Sequence, residues 1–147
     1  MKKISFIIPS FHVGGTESSF IRMANSFNNS DFQSELVYWF EDGELRKLID
    51  PGVIITKLKV SNLLSLLIGL VVFYNKSKPN VVHTSMYMIG NIALLARLFS
   101  SHKPKIIVGA RSDFDSACRT SKNFFDEFLL RKLSNILFKK SDQIIAV

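Results

Sequence analysis

A single cysteine, Cys118, stands in 147 residues, so no internal disulfide framework can form. A lone thiol fits a reducing compartment and marks nothing catalytic. A secretory signal is lacking too, because Met1-Lys2-Lys3 leads into only about five apolar residues before Pro9, too short for a signal core. The uncharged stretch 63–74 holds twelve residues, whereas a bilayer core requires about twenty. The glycine pair Gly14-Gly15 has no third glycine at the offset a G-x-G-x-x-G loop needs, and Tyr38-Trp39-Phe40 precede the acid Glu41. Those departures argue against a nicotinamide or flavin site, and the missing Gly-Lys-Ser/Thr excludes a P-loop. With no helix-turn-helix, zinc or RNA-reading signature, nucleic acid ranks last among partners. Internal repeats and low-complexity linkers are lacking as well.

What is present is apolar and basic. Apolar residues make up 47% of the chain and Phe alone numbers 13, which excludes disorder and fits one ordinary domain with a real core. The net charge is +7, and residues 103–140 carry nine Lys/Arg against four Asp/Glu. Such a surface attracts anionic lipid headgroups or a phosphorylated substrate; a solvated basic face with no dedicated partner is the simpler alternative.

The opening stretch is the most informative. Ile4-Ser5-Phe6-Ile7-Ile8-Pro9 is an apolar run, Gly14-Gly15-Thr16-Glu17 a turn, and Phe20, Ile21, Met23, Ala24 and Phe27 the apolar face of a helix. Strand, glycine turn and helix form the entry unit of a doubly wound α/β domain, which binds ligands outside the carboxyl ends of its strands. The glycines allow close backbone approach, and the helix start offers unpaired N–H groups to an anion; alternatively they merely tighten the connection. The rest of the chain continues the alternation. It predicts strands over residues 4–9, 32–40, 53–58, 81–84, 106–109 and 143–147, with helices over 17–28, 44–49, 63–74, 89–99 and 124–138. Strands separated by helix-length periodic segments mean a parallel sheet covered on both faces, a doubly wound Rossmann-like α/β fold. The segment 63–74 is apolar all round, which suits a core helix; a membrane-surface helix with Lys76 and Lys78 snorkelling toward headgroups is the alternative.

Five segments together resemble a known family. They are the opening strand with Pro9 and Gly14-Gly15-Thr16-Glu17; Lys78-Pro79-Asn80-Val81-Val82-His83-Thr84-Ser85-Met86; Gly90-Asn91 with the helix behind it; Ile107-Val108-Gly109-Ala110-Arg111-Ser112; and Ser141-Asp142-Gln143-Ile144-Ile145-Ala146-Val147. Their order and spacing look like the amino-terminal domain of family-4 retaining glycosyltransferases, enzymes built from two facing Rossmann-like domains. The resemblance implies transfer of a sugar from a nucleotide-sugar to a glycan or lipid-linked acceptor, without a metal or other cofactor. The amino-terminal domain would bind the acceptor, and a carboxy-terminal domain, or a partner subunit, would bind the donor. A chain that stops at a hydrophobic strand is expected to be part of a longer protein or a split enzyme, and inactive alone.

Carried over residue by residue, the resemblance makes Gly14 and Gly15 the loop that approaches donor phosphates or acceptor. Thr16 is the expected N-cap, and Glu17 in the first turn suits the helix dipole or contacts acceptor hydroxyls. His83, at the sheet edge, is either a sugar ligand or a satisfied buried histidine. Arg111 pairs with a phosphate, or structurally with Asp113 or Asp115. Ser85 stands where many relatives carry a second histidine, and some have another near Met88. The resemblance names no general base and no protein nucleophile, so the catalytic residues are left open. It places the protein in the cytoplasm, peripheral at the inner face of the membrane, with the alternative of a non-catalytic anchoring or binding subunit of a split transferase.

Overall fold

The structure is a computed structural model that describes residues 1–110, 136, 137, 139 and 141–146. The apolar runs form strands Lys2–Ile7 (β1), Phe32–Tyr38 (β2), Ile54–Lys57 (β3), Val81–Thr84 (β4), Lys105–Ala110 (β5) and Gln143–Ala146 (β6). The periodic segments form helices Gly15–Ser26 (α1), Leu63–Ser77 (α2) and Tyr87–Phe99 (α3), and Glu44–Leu48 forms a 3-10 helix. The six strands pair in parallel throughout, in the order β3-β2-β1-β4-β5-β6. The expected α/β architecture, a doubly wound parallel sheet, is what the chain adopts.

Alternation along each strand sorts side chains onto two faces. Phe6, Ile8, Leu36 and Tyr38 face one way and are covered by Phe20, Ile21 and Ala24 of α1. Ile7, Val37, Val82, Ile106 and Val108 face the other way, beneath Leu66, Leu70 and Tyr74 of α2 and Ile89, Ala93 and Ala96 of α3. Two cores therefore sandwich one sheet, and both depend on β1 at its centre.

Local chemistry sets the helix ends. Asn62 caps α2: its Oδ1 accepts the Ser65 N–H at 2.9 Å, and Ser65 Oγ accepts the Asn62 N–H at 3.0 Å. That reciprocal pair satisfies two donors at the helix start. The helix runs three residues past Tyr74 and stops at Lys78, whose φ of 50° is left-handed, with its N–H on the Tyr74 carbonyl at 3.0 Å. Pro79 follows and bars any continuation. At the far edge, the Asp142 carboxylate accepts the Ile106 N–H at 2.8 Å and the Arg97 guanidinium at 2.6 Å, so one side chain joins β6, β5 and α3. Of the predicted helix over 124–138, Ile136 and Leu137 are described, and Leu137 is buried in the second core. Cys118, Arg131, Lys132 and Lys140 lie outside the described residues.

The apolar helix α2 has two different faces. Leu66, Leu70, Phe73 and Tyr74 are buried, whereas Leu64, Ile68 and Val72, spaced four residues apart, stand exposed with Leu63 beside them. Burial pushes the Tyr74 phenol far above its ordinary range. Among the described residues no helix is long and apolar enough to cross a membrane. One helix thus serves the core with one stripe and leaves a second stripe uncovered. Leu70, 0% exposed, and Ile68, 57% exposed, should separate cleanly in urea unfolding. Leu70→Ala is expected to cost about 2–5 kcal/mol, and Ile68→Ala to stay within about 0.5 kcal/mol of the parent.

Candidate functional site

The strand order reverses at β1, with β2 on one side and β4 on the other. Connections leaving the carboxyl ends of β1 and β4 therefore diverge to opposite faces and open a crevice between them, the place where such sheets bind ligands. The β1 connection carries the buried residues Ile8, Ser10 and Phe11 and ends at the start of α1. The β4 connection is only Ser85 and Met86 before α3 begins. Two helix N-termini thus open at the same edge, each with N–H groups that no helical carbonyl satisfies.

Gly14, not Thr16, is the N-cap of α1. Gly14 is extended, at φ −162°, and its carbonyl accepts the Ser18 N–H at 3.0 Å, which puts Gly15 first in the helix and Thr16 second. No side chain caps this end; instead the Glu17 carboxylate folds back over Gly14, into the space a Cβ there would need. Neither glycine has a positive φ, so conformation does not demand them. A Cβ on Gly15 would meet nothing within 4 Å.

The two helix starts differ electrostatically. Glu17 places a negative charge in the first turn of α1, which suits the dipole but repels a second anion. The first turn of α3 contains no acid and no side-chain cap. By charge alone, α3 favours a phosphate and α1 favours hydroxyl groups.

The remaining expected site residues fall in different places. Ser85 is 0% exposed, and its Oγ has no hydrogen-bond partner among the described residues. A buried hydroxyl in that condition calls for a reason, and Ser34 Oγ in β2 is in the same condition. His83 lies one layer deeper, under α1, with its ring 4.6 Å from Phe20 and 6.0 Å from Phe6. It is 9% exposed, and β4 brings it near Gly109 of the next strand. Gly14, Gly15, Thr16 and Glu17 come together at the start of α1, and Ser85 stands at the facing strand end; Arg111, with Asp113 and Asp115, lies outside the described residues.

Three features escaped the sequence reading. The first is a cavity of about 380 Å³ at the carboxyl edge, lined by Pro9, Trp39, Phe40, Val60, Met86 and Ile89 among others. The second is a shallower polar hollow sharing its Trp39–Phe40 wall and bounded by His12, Glu41 and Lys57. The third is Glu35, buried mid-strand in β2, whose carboxylate accepts hydroxyl hydrogens from Ser5 at 3.1 Å, Ser77 at 2.7 Å and Thr56 at 2.6 Å. Those three neutral donors come from β1, α2 and β3 and knit the layers together where apolar packing would leave the carboxylate unsatisfied. Near the polar hollow, burial raises the Tyr38 phenol above its ordinary value, and hydrogen bonds from Tyr38 and Arg46 hold the Asp42 carboxyl below its own. Among the described residues no group of three or more His, Cys, Asp or Glu is placed to hold a metal.

No family model matches the chain, and no curated protein matches it in sequence.

Two glycine substitutions test this geometry by thermal or urea unfolding. Gly15→Ala should raise stability by about 0.5–1 kcal/mol, because the new methyl sits in a helix and meets nothing. Gly43→Ala should lower it by about 1–3 kcal/mol, because its Cβ would press on the Phe11 backbone, whose carbonyl already accepts the Leu45 N–H.

Proposed function

We propose that this chain is the acceptor-side half of a retaining sugar transferase, moving a sugar from a nucleotide-sugar to a glycan or lipid-linked acceptor. The observation that carries the reading is the crevice between β1 and β4. There Ser85, buried and with no partner for its hydroxyl among the described residues, follows β4 directly ahead of the acid-free start of α3, while the start of α1 carries Glu17. Backbone N–H groups preorganised in this way stabilise a departing diphosphate without a metal. The five-segment resemblance points in the same direction. His83 on this reading supports the floor of the site beneath α1, Ser85 contacts a substrate hydroxyl, and Arg111 remains the candidate for a phosphate. The donor-binding half is a second domain or partner subunit, and the chain alone turns nothing over.

The test is transfer of label from nucleotide-sugars to organic-extractable or polymeric acceptors. Transfer is expected when the chain is joined to, or mixed with, its donor-binding half, and none from the chain alone. A complete assembly that transfers no sugar, or a chain that oxidises or hydrolyses a nucleotide by itself, contradicts the reading.

A second reading, a membrane-anchoring or binding subunit of a split transferase, is favoured by the uncovered stripe Leu63, Leu64, Ile68 and Val72. The charge around it agrees: residues 51–112 contain eight Lys/Arg and not one Asp or Glu. An apolar stripe bordered by cations suits an anionic lipid surface at the inner face of a membrane. Sedimentation with anionic vesicles should show binding at low salt that weakens as the screening length falls below about 8 Å, and Ile68→Glu should reduce it severalfold. Equal binding to neutral vesicles, or none at low salt, contradicts the lipid-surface assignment.

A further inference from the structure

The cavity behind Trp39 is unusual in offering a ligand almost nothing polar. It sits at the carboxyl edge of the sheet, between the ends of β1, β2 and β4 and the start of α2. Several of the polar groups in its wall are engaged with one another. The Ser61 and Asn62 N–H groups both donate to Ser65 Oγ at 3.0 Å, and Asn62 Oδ1 accepts the Ser65 N–H. The Trp39 and Phe40 N–H groups both donate to the Pro9 carbonyl, at 3.3 and 3.0 Å. The rest of the wall is chiefly carbon, aromatic surface and the thioethers of Met86 and Met88, which adapt to irregular apolar shapes. An apolar hollow of about 380 Å³ is within the range of small-molecule sites, and water gains few hydrogen bonds inside it.

Across the Trp39–Phe40 wall the chemistry changes. The adjoining hollow, about 440 Å³, presents His12, Glu41 and Lys57, groups that donate to and accept from hydroxyls. One wall thus separates an apolar chamber from a hollow that carries His12, Glu41 and Lys57 beside the two rings, which is the shape of a molecule with an alkyl part and a hydroxylated head. At the opposite rim, Leu63 belongs both to the cavity lining and to the exposed stripe of α2. An alkyl chain leaving a lipid surface therefore meets continuous apolar contact into the cavity.

We infer that this cavity takes the alkyl chain of a single amphiphile whose hydroxylated head rests in the hollow of His12, Glu41 and Lys57. The inference rests on the acceptor-side reading and narrows its acceptor to a lipid-linked one rather than a free glycan.

Trp39 is the one tryptophan of the chain, so its fluorescence reports the cavity directly. The probes are methyl, hexyl, octyl and decyl glucosides, titrated below their micelle concentrations. Saturable blue-shifted emission is expected for the long chains and none for the methyl glucoside. Each methylene should tighten binding about fourfold, the affinity equivalent of about 0.8 kcal/mol. Leu63→Asp and Met88→Asp place an acid in the first turns of α2 and α3, where it suits the helix dipole and spares the fold. Each should weaken octyl glucoside binding at least tenfold with an unchanged circular dichroism spectrum.

Three results would overturn the inference: no saturable shift, affinity independent of chain length, or indifference to both variants. A ligand-free emission that is already blue-shifted and resists quenching would show the cavity filled from within the protein. A blue shift that tracks protein concentration would show that a second copy fills it. Loss of alkyl binding with sugar transfer intact removes the alkyl site alone, whereas alkyl binding without transfer in the complete enzyme removes the transferase reading alone.

Discussion

The structure depends on the pairing of β1 with β2 on one side and β4 on the other, both in parallel. Register fixes it: Phe6 lies opposite Leu36 and His83, and Ile7 opposite Val37 and Thr84. Because β1 is hydrogen-bonded on both edges and packed on both faces, it cannot slip by one residue without exchanging the two cores. The same pairing makes the chain depart from neighbouring strands in opposite directions, and the crevice is the geometric remainder of that divergence. Stability and site therefore share one cause. Glu35 contributes on the same terms, since its three hydroxyl partners hold β1, β3 and α2 to β2.

Charge then divides the edge of the sheet. The acids of the amino-terminal third include Glu17 at α1 and Glu41 and Asp42 beyond β2, while residues 51–112 carry cations only. The β1 side of the crevice is accordingly suited to hydroxyls, and the β4 side, with the acid-free start of α3, to anionic groups. The uncovered stripe of α2 lies in the basic segment, where its Lys neighbours and its apolar side chains both favour an anionic lipid surface.

How much of this was legible depended on whether the signal was local. The six strands stood out because apolar β-rich runs are bounded by turns, and β4 was placed to the residue. The start of α1 was set two residues late because Thr16 is the better N-cap by residue type, whereas Gly14 takes the position through its extended backbone and the folded-back Glu17. The length of α2 was underestimated because Lys76 and Ser77 resemble a helix stop, yet the left-handed Lys78 ahead of Pro79 is what ends it. The double face of α2 was not legible, since a helix apolar all round carries no periodicity to say which stripe the sheet covers. Trp39 and Phe40 were read only for the acid they lacked. Their cavity is assembled from segments as far apart as Pro9 and Ile92, which no linear pattern brings together. Glu35 carried a local flag, an acid next to Leu36 and Val37, but its partners Ser5, Thr56 and Ser77 converge only in the fold.

The most direct test of the central claim, that the carboxyl edge around β1 and β4 is the binding site, is amide shift mapping by NMR. The labelled chain would be titrated separately with inorganic pyrophosphate and with octyl glucoside. The account predicts that pyrophosphate perturbs residues 85–88 most, and that the glucoside perturbs 39–41, 60–63 and 86–89, with the amino ends of the strands unmoved. Perturbations gathered instead around Glu35 and Ser77, or scattered over exposed lysines, would contradict it.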